Sequence, residues 1–296
     1  MRTNNFAAGL VAVALLCCAQ ASWALPVESG LLMRFNASDG PRNGGGSPAQ
    51  DGQPVAQWDD LASGGGANHA TATLGQRPAF VEQGIDVGLV FRPTVRFTNP
   101  AASGNTTSNS DFDQMTTNLA MPDNFTAFVV AKVNDTKPRA ILGTSPVTSL
   151  PANRFNLFTE GGDLVFRSNG VTDTRTAISV GDFFIAAVYS GAAGQVDMEV
   201  FQGGSDSQNG HDTSFDGTFL HVSGPIGGSG RVFDGDMAEI LLYDNALSDT
   251  DRQAVFEFLD EQWLQDVFVP EPSSGMLLLL GCTLLGKRRR RRRGLK

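Results

Sequence analysis

Around residue 196 the chain alternates with a period of two: Val196, Met198 and Val200 are apolar, and Asp197 and Glu199 between them are charged. That spacing sends successive side chains to opposite faces of an extended strand, one toward a core and one toward water. Phe125–Val133 repeats the pattern around Phe125, Ala127, Val129 and Val133. Shorter apolar runs at Leu31–Asn36, Phe155–Phe158, Asp163–Arg167, Phe183–Tyr189 and Met237–Tyr243 predict further strands. Turn-forming clusters bound them, as at Glu160-Gly-Gly-Asp163 and Ser190-Gly-Ala-Ala-Gly194. With 34 glycines and no long helical periodicity, the pattern predicts a single all-β sandwich.

The periodicity changes once, near the end. Ser248 is a suitable N-cap, and Asp249 and Asp251 fall in the first turn, where carboxylates favour the positive end of a helix dipole. Phe256, Leu259 and Trp263 follow at i, i+3 and i+7 with Val255 beside them. That stripe predicts a short helix packed on the sandwich, with Trp263 buried.

Both ends of the chain carry the marks of addresses. Arg2, the apolar run Ala7–Cys18 and the small residues of Ala21-Ser22-Trp23-Ala24 form the layout of a removable secretory signal peptide over residues 1–24, cut after Ala24. Leu16, and not a small residue, precedes Cys17, which argues against lipidation. Residues 269–296 run from Pro270-Glu271-Pro272 through an apolar segment, Met276–Leu285, to Lys287 and the arginines Arg288–Arg293. The apolar segment is shorter than the roughly 20 residues of a spanning helix. The basic cluster resists translocation and holds to anionic headgroups. Together they predict a transient stop in the inner membrane, basic end inward.

Those three parts in that order resemble the C-terminal sorting signal of exosortase substrates, the PEP-CTERM tail. The resemblance implies Pro270, Glu271, Pro272, Lys287, Arg288, Arg289 and Arg290 as signal residues. It also implies a secretion translocon and a sorting enzyme of exosortase type as partners, and a final place at the cell surface or outside the cell.

Removing both ends changes the charge that matters. The body between Leu25 and Phe268 keeps 13 of the 22 Lys+Arg and 30 of the 31 Asp+Glu, a net −17 against −9 for the whole chain. Such a body repels nucleic acid and anionic membrane, and it suits divalent cations or neutral, hydroxyl-rich ligands. Cys17, Cys18 and Cys282 all lie in the end segments, so the body has no disulfide and depends on its core.

The stretch 233–259, with Gly235-Asp-Met-Ala-Glu239, Tyr243-Asp-Asn-Ala-Leu-Ser248 and the helix after it, resembles the close of concanavalin A-like, laminin G-like jelly rolls. Gly30-Leu-Leu-Met-Arg-Phe35 is similar to their first strand, and Val55-Ala-Gln-Trp58-Asp59-Asp60-Leu61 to the Trp-x-Asp stretch that follows. Asn68-His69-Ala70-Thr71 and Arg77-Pro78-Ala79-Phe80 fit the family's next segment. The resemblance covers roughly residues 30–264 and implies a jelly-roll sandwich with a short C-terminal helix over 25–268. This fold serves lectins, adhesion modules, pentraxin-like binders and glucanases alike, so it fixes no function.

Glucanases of this fold place Glu-x-Asp-x-x-Glu on one strand, so that alternation aligns the carboxylates on one face. No Glu of this chain is followed two residues later by Asp. The matching strand has Glu239 between Ala238 and Ile240, expected to meet solvent or a strand-end polar group. No Gly-x-Ser-x-Gly presents a serine nucleophile, and His69, His211 and His221 lack zinc-protease spacing and read as surface residues. Gly281-Cys-Thr-Leu-Leu-Gly286-Lys287 has phosphate-loop spacing, but Arg288 stands where Ser or Thr is required. For Ca²⁺, which takes six to eight oxygens, the sources are the pairs Asp59 and Asp60, Asp111 and Asp113, Asp206 and Asp212, and Asp234 and Asp236. Asp234-Gly235-Asp236 also reads as a hairpin turn, and Ser205–Gly217 as a solvated loop. These features predict an exported, non-catalytic binder of extracellular polysaccharide. A structural or adhesion component of envelope or biofilm matrix is the alternative, and a glycan-active enzyme the third.

Overall fold

The computed structural model describes residues 24–62, 68–88, 90–99, 112–144, 154–168, 173–191, 194–215, 219–224 and 231–265. The sorting-signal residues, most of the signal peptide and Asp111 lie outside them. In chain order the strands begin with β1 (Leu31–Asn36), β2 (Pro41–Arg42), β3 (Gln57–Trp58), β4 (Ala70–Thr71), β5 (Ala79–Val87) and β6 (Val90–Phe97). Next come β7 (Met115–Ala120), β8 (Thr126–Val133), β9 (Arg139–Gly143), β10 (Asn156–Glu160), β11 (Asp163–Arg167) and β12 (Thr174–Ala177). β13 (Phe183–Ser190), β14 (Gln195–Val200), β15 (Ser205–Asn209), β16 (Phe219–Val222), β17 (Gly235–Tyr243) and helix α1 (Asp249–Trp263) complete the fold.

Two antiparallel sheets form the sandwich. Sheet A runs β15-β14-β13-β8-β17-β6-β5, with β1 also paired to β17; sheet B runs β12-β11-β10-β9-β16-β7-β4-β3-β2. β17 is its axis: β8 lies along one side, while β6 pairs with Gly235–Met237 and β1 with Glu239–Tyr243 on the other. All nine residues of β17 are buried, because sheet B covers one face and α1 the other. The same double cover explains β8, where only Lys132 is not buried. The alternation expected of Phe125–Val133 as a half-buried strand is therefore replaced by burial on both faces. β14 keeps its alternation, with Val196, Met198 and Val200 buried.

The core between the sheets is largely aromatic. Phe125, Phe155 and Phe166 meet edge to face or tilted, with Phe125–Phe155 and Phe155–Phe166 centroids both 5.3 Å apart. Phe35 stacks on Trp58 at 5.5 Å, and Trp58 Nε1 donates to Asn36 O at 3.0 Å. A buried indole with its N–H satisfied is the low-energy form of that side chain.

The expected helix is present. Ser248 Oγ accepts from Asp251 N at 3.2 Å, and Val255, Phe256, Leu259 and Trp263 are buried. Phe256 meets Phe128 edge to face at 5.2 Å and stacks on Phe201 at 5.4 Å, fixing α1 to sheet A.

Two turn expectations divide. Glu160-Gly-Gly-Asp163 is a two-residue hairpin, with Glu160 opposite Asp163 and positive φ at Gly161 and Gly162 (69° and 94°), as a type I′ turn requires. Asp234-Gly235-Asp236 is no hairpin, since β17 begins at Gly235. A Cβ on Gly235 would lie 2.0 Å from Lys132 O, so glycine serves strand contact there. Part of the expected loop Ser205–Gly217 is also ordered, as β15 on the edge of sheet A.

Candidate functional site

On the outer face of sheet A stand two carboxylates. Asp236 pairs with Lys132 and Glu239 with Val130, two positions apart on β8, because a bulge lies between Met237 and Glu239. The bulge thus brings both side chains to one face. Neither is open to a ligand. The Asp236 side chain is 1% exposed and held by Arg96 Nε at 2.7 Å and Lys132 Nζ at 2.8 Å. Glu239 is fully enclosed under α1. Its oxygens accept from Arg34 Nε at 2.8 Å, Asn36 Nδ2 at 3.1 Å and Trp263 Nε1 at 2.6 Å. Burial pushes its carboxyl up, against the downward pull of Arg34, Trp263 and Asn36. Of the two environments expected for Glu239, solvent is therefore corrected, and the polar contact is one with Arg34, Asn36 and Trp263 beneath the helix. Nothing in the strand's own sequence shows that α1 roofs that face.

The histidines are also more enclosed than expected. His211 is buried, with Nδ1 at 2.8 Å from Ser168 Oγ and Nε2 at 3.0 Å from Thr174 Oγ1. Burial lowers its pKa, and a neutral ring between two hydroxyls is a structural clasp. His221, in sheet B, meets Thr116 Oγ1 at 3.1 Å. His211 and His221 thus have separate partners and do not form a pair.

The carboxylates singled out for calcium are engaged elsewhere. Asp59 accepts from Arg42 Nε at 2.6 Å and Gln57 Nε2 at 2.7 Å, with His69 Nδ1 at 3.6 Å. Asp60 Oδ1 accepts from Arg34 N and Ala62 N, while its buried Oδ2 has no partner. Asp234 accepts from Asn99 N at 3.1 Å and lies 3.7 Å from Arg139, so it and Asp236 serve different cations. Asp113, beside Asp234, is pushed up by burial and by that negative neighbour. Asp206 caps Arg175 N at 2.8 Å. Among the described residues no group of three or more His, Cys, Asp or Glu is placed to hold a metal ion.

Sheet B offers the contrasting surface. Leu157, Leu164, Phe166, Leu220 and Val222 point into the main core, so their neighbours along each strand point outward. Ala140, Phe158 and Val165 form a second apolar cluster on that outer face. Around it lie Arg167, with its Cζ 5.0 Å from the Phe158 centroid, and Arg231, at 5.2 Å. Phe219 is 50% exposed and stands two residues before His221 on β16, with a register shift against β7 between them. No described helix packs on this side, because α1 lies on sheet A. The sequence reading missed this face, although the alternation at 155–158 and 163–167 already assigns Phe158, Val165 and Arg167 to the side opposite the core. A separate cleft of about 480 Å³ lies where β13, β14 and the end of α1 meet, with Asp182, Gln202 and Asp260 in its wall. Asp260 there accepts from Gln265 Nε2 at 2.6 Å.

No protein-family model matches the chain, and no curated protein matches it. Solved structures do. Trypanosoma rangeli sialidase in complex with sialic acid superposes with a TM-score of 0.50 at 10% identity, over 81% of this chain and 35% of the sialidase. The Ruminococcus gnavus sialidase module CBM40, bound to α2,3-sialyllactose, gives 0.42 at 12% identity, over 55% of this chain and 95% of the module. A pentraxin from Limulus polyphemus gives 0.41 at 12% identity, over 52% of this chain and 78% of its own. The chain thus spans about a third of that sialidase's length. At these identities the likeness is one of fold, and the fold is a jelly-roll sandwich of two antiparallel sheets closed by a C-terminal helix.

Proposed function

We propose that the chain is an exported, non-catalytic module that binds extracellular polysaccharide on the outer face of sheet B. The observation that carries this reading is the half-exposed Phe219 on a sheet face without a covering helix, beside the polar pair His221 and Thr116. An aromatic ring presents an apolar surface to the C–H face of a sugar, and neighbouring polar groups take its hydroxyls. A shallow face of this kind binds one site weakly, and many copies on one surface hold a matrix through avidity. The non-catalytic part rests on Asp236 and Glu239, whose enclosure leaves no room for a substrate to touch them. Sorting at the envelope by an exosortase rests on the tail sequence alone, and the described residues contain no helix long and apolar enough to cross a membrane.

A glycan array on the purified protein, with calcium and with chelator, tests the reading. Binding is expected to fall about tenfold in Phe219→Ala, equivalent to about 1.4 kcal/mol, with melting unchanged. Binding to an envelope protein and to no glycan would favour the structural or adhesion alternative. Polysaccharide turnover abolished by one Asp or Glu change in a folded protein would establish an enzyme. For sorting, the mature protein is expected to lack Arg288–Arg293 by intact mass, and Glu271→Ala to leave the precursor in the inner membrane.

A further inference from the structure

The arginines over Phe158 differ from most others in this acidic body. Arg34, Arg42, Arg96, Arg139 and Arg252 each meet a carboxylate. On the outer face of sheet B, Arg167 is held by both oxygens of Asp173, at 2.6 Å each. Arg175 shares Asp173 and adds Glu160, both at 2.8 Å. Arg154 and Arg231 have no carboxylate partner among the described residues. Arg154 Nε donates to the Asn156 side-chain oxygen at 2.7 Å once that amide is oriented to satisfy both its ends, and Arg231 sits over the Phe158 ring. Asn156 lies opposite Arg167 in the β10–β11 register, which sets Arg154 near Arg167; burial first, then the charges of Arg167 and Arg231, lower the pKa of Arg154.

We infer that Arg154 and Arg231 receive the carboxylate groups of an acidic, uronate-type polysaccharide, with Phe158 and Arg167 fixing the position of the site. The inference deepens the polysaccharide reading above and rests on it. Its logic is electrostatic. A body with 30 carboxylates and 13 cations has ample means to neutralise its arginines, yet among the described residues these two have no carboxylate partner and stand beside a third guanidinium. A planar carboxylate supplied from outside matches the guanidinium fork and relieves the mutual repulsion. Contact of a guanidinium with the Phe158 ring holds the fork in place before the ligand arrives and limits the side-chain entropy lost on binding. The net −17 of the body repels a polyanion elsewhere, so recognition is confined to this face.

The test compares variants of the full chain, because its arginine tail attracts polyanions by itself and must be common to every sample. Polygalacturonate, neutral dextran and dextran sulfate are each titrated against the natural protein and the Arg154→Gln/Arg231→Gln pair. Polygalacturonate is expected to bind the natural protein at least tenfold more tightly than the double variant. If the double variant melts early, Arg154→Lys/Arg231→Lys, which keeps the charges but not the forks, is expected to show partial loss. Equal polygalacturonate binding by the natural and variant proteins overturns the inference. So does binding of dextran sulfate alone among the two polyanions. Binding of dextran alone, undiminished in the variants, overturns it while leaving the polysaccharide reading standing, and binding of no polymer in this titration or of any glycan on the array overturns both.

Discussion

Removing the Glu239 side chain tests the roof of sheet A directly. Glu239→Ala takes the acceptor from Trp263 Nε1 and Asn36 Nδ2, both belonging to buried residues, and the counter-charge from Arg34. A buried donor left without an acceptor costs about 1–3 kcal/mol, and breaking a buried ion pair from one side about 3–5 kcal/mol. These overlap and do not add. The Arg34 side chain is 17% exposed and regains some water, which favours the lower end, about 3 kcal/mol. In a domain of this size that lowers Tm by about 6–12 °C. Replacing both partners, as in Glu239→Leu with Arg34→Met, should recover part of the loss, since an apolar pair leaves no charge unpaired. The sign of the pH effect follows from burial. Burial raises the pKa of Glu239 above the ordinary 4.5 of a glutamate, so its contribution is most favourable below that value and declines as pH rises through the raised one. Glu239→Gln removes this decline. Thermal melts of the three variants across pH decide the matter. A Glu239→Ala protein that melts within about 2 °C of the natural one would refute the claim that this carboxylate is sealed beneath the helix.

Trp263→Phe keeps most of the apolar volume but loses the 2.6 Å bond to Glu239, so it should cost about 1–3 kcal/mol against about 3–5 kcal/mol for Trp263→Ala; urea unfolding of both measures the difference. Gly235→Ala sets a Cβ against Lys132 O, a backbone atom of β8, and should sharply reduce soluble yield, while a normal melt would show that β17 and β8 can separate freely. His211 has its pKa lowered by burial from 6.5, so its contribution to stability is complete above that value and is lost as pH falls through the lowered one. Replacing it with Gln should flatten the part of the stability profile that lies below about pH 6.5, as followed by chemical denaturation.

Strands whose two faces meet different surroundings were the most legible. Val196, Met198 and Val200 alternate with Asp197 and Glu199 because β14 has a buried and a wetter side, and the period is visible without any other strand. The helix was equally legible, since its cap and stripe lie within sixteen residues. What depends on partners far along the chain was not. Nothing near Glu239 announces that Arg34 and Asn36, more than two hundred residues earlier, and Trp263, beyond the turn, will converge on it. β5 and β6 escaped notice as strands because Glu82, Gln83 and Gly84 interrupt the first and Arg92, Thr94 and Arg96 the second; in the fold, Arg96 answers Asp236 on β17, a role only tertiary structure supplies. The same holds for Arg231, brought to Phe158 from far along the chain.

The two outer faces carry opposite solutions to the placement of charge, and this bears on the choice between binder and enzyme. On sheet A, a bulge sets Asp236 and Glu239 on one face, opposite positions two apart on β8. Catalysis would need one of them protonated, one ionised and both in contact with sugar. Here Asp236 is clamped by two cations and Glu239 is shut beneath Trp263, so the pair acts as a fastener between strand, sheet and helix. On sheet B, Arg167 and Arg175 are paired with Asp173 and Glu160, while Arg154 and Arg231 have no carboxylate partner among the described residues, on a face that no described helix covers. A chain that neutralises these carboxylates inward while Arg154 and Arg231 have no carboxylate partner among the described residues carries the charge pattern on which the proposed anionic ligand rests.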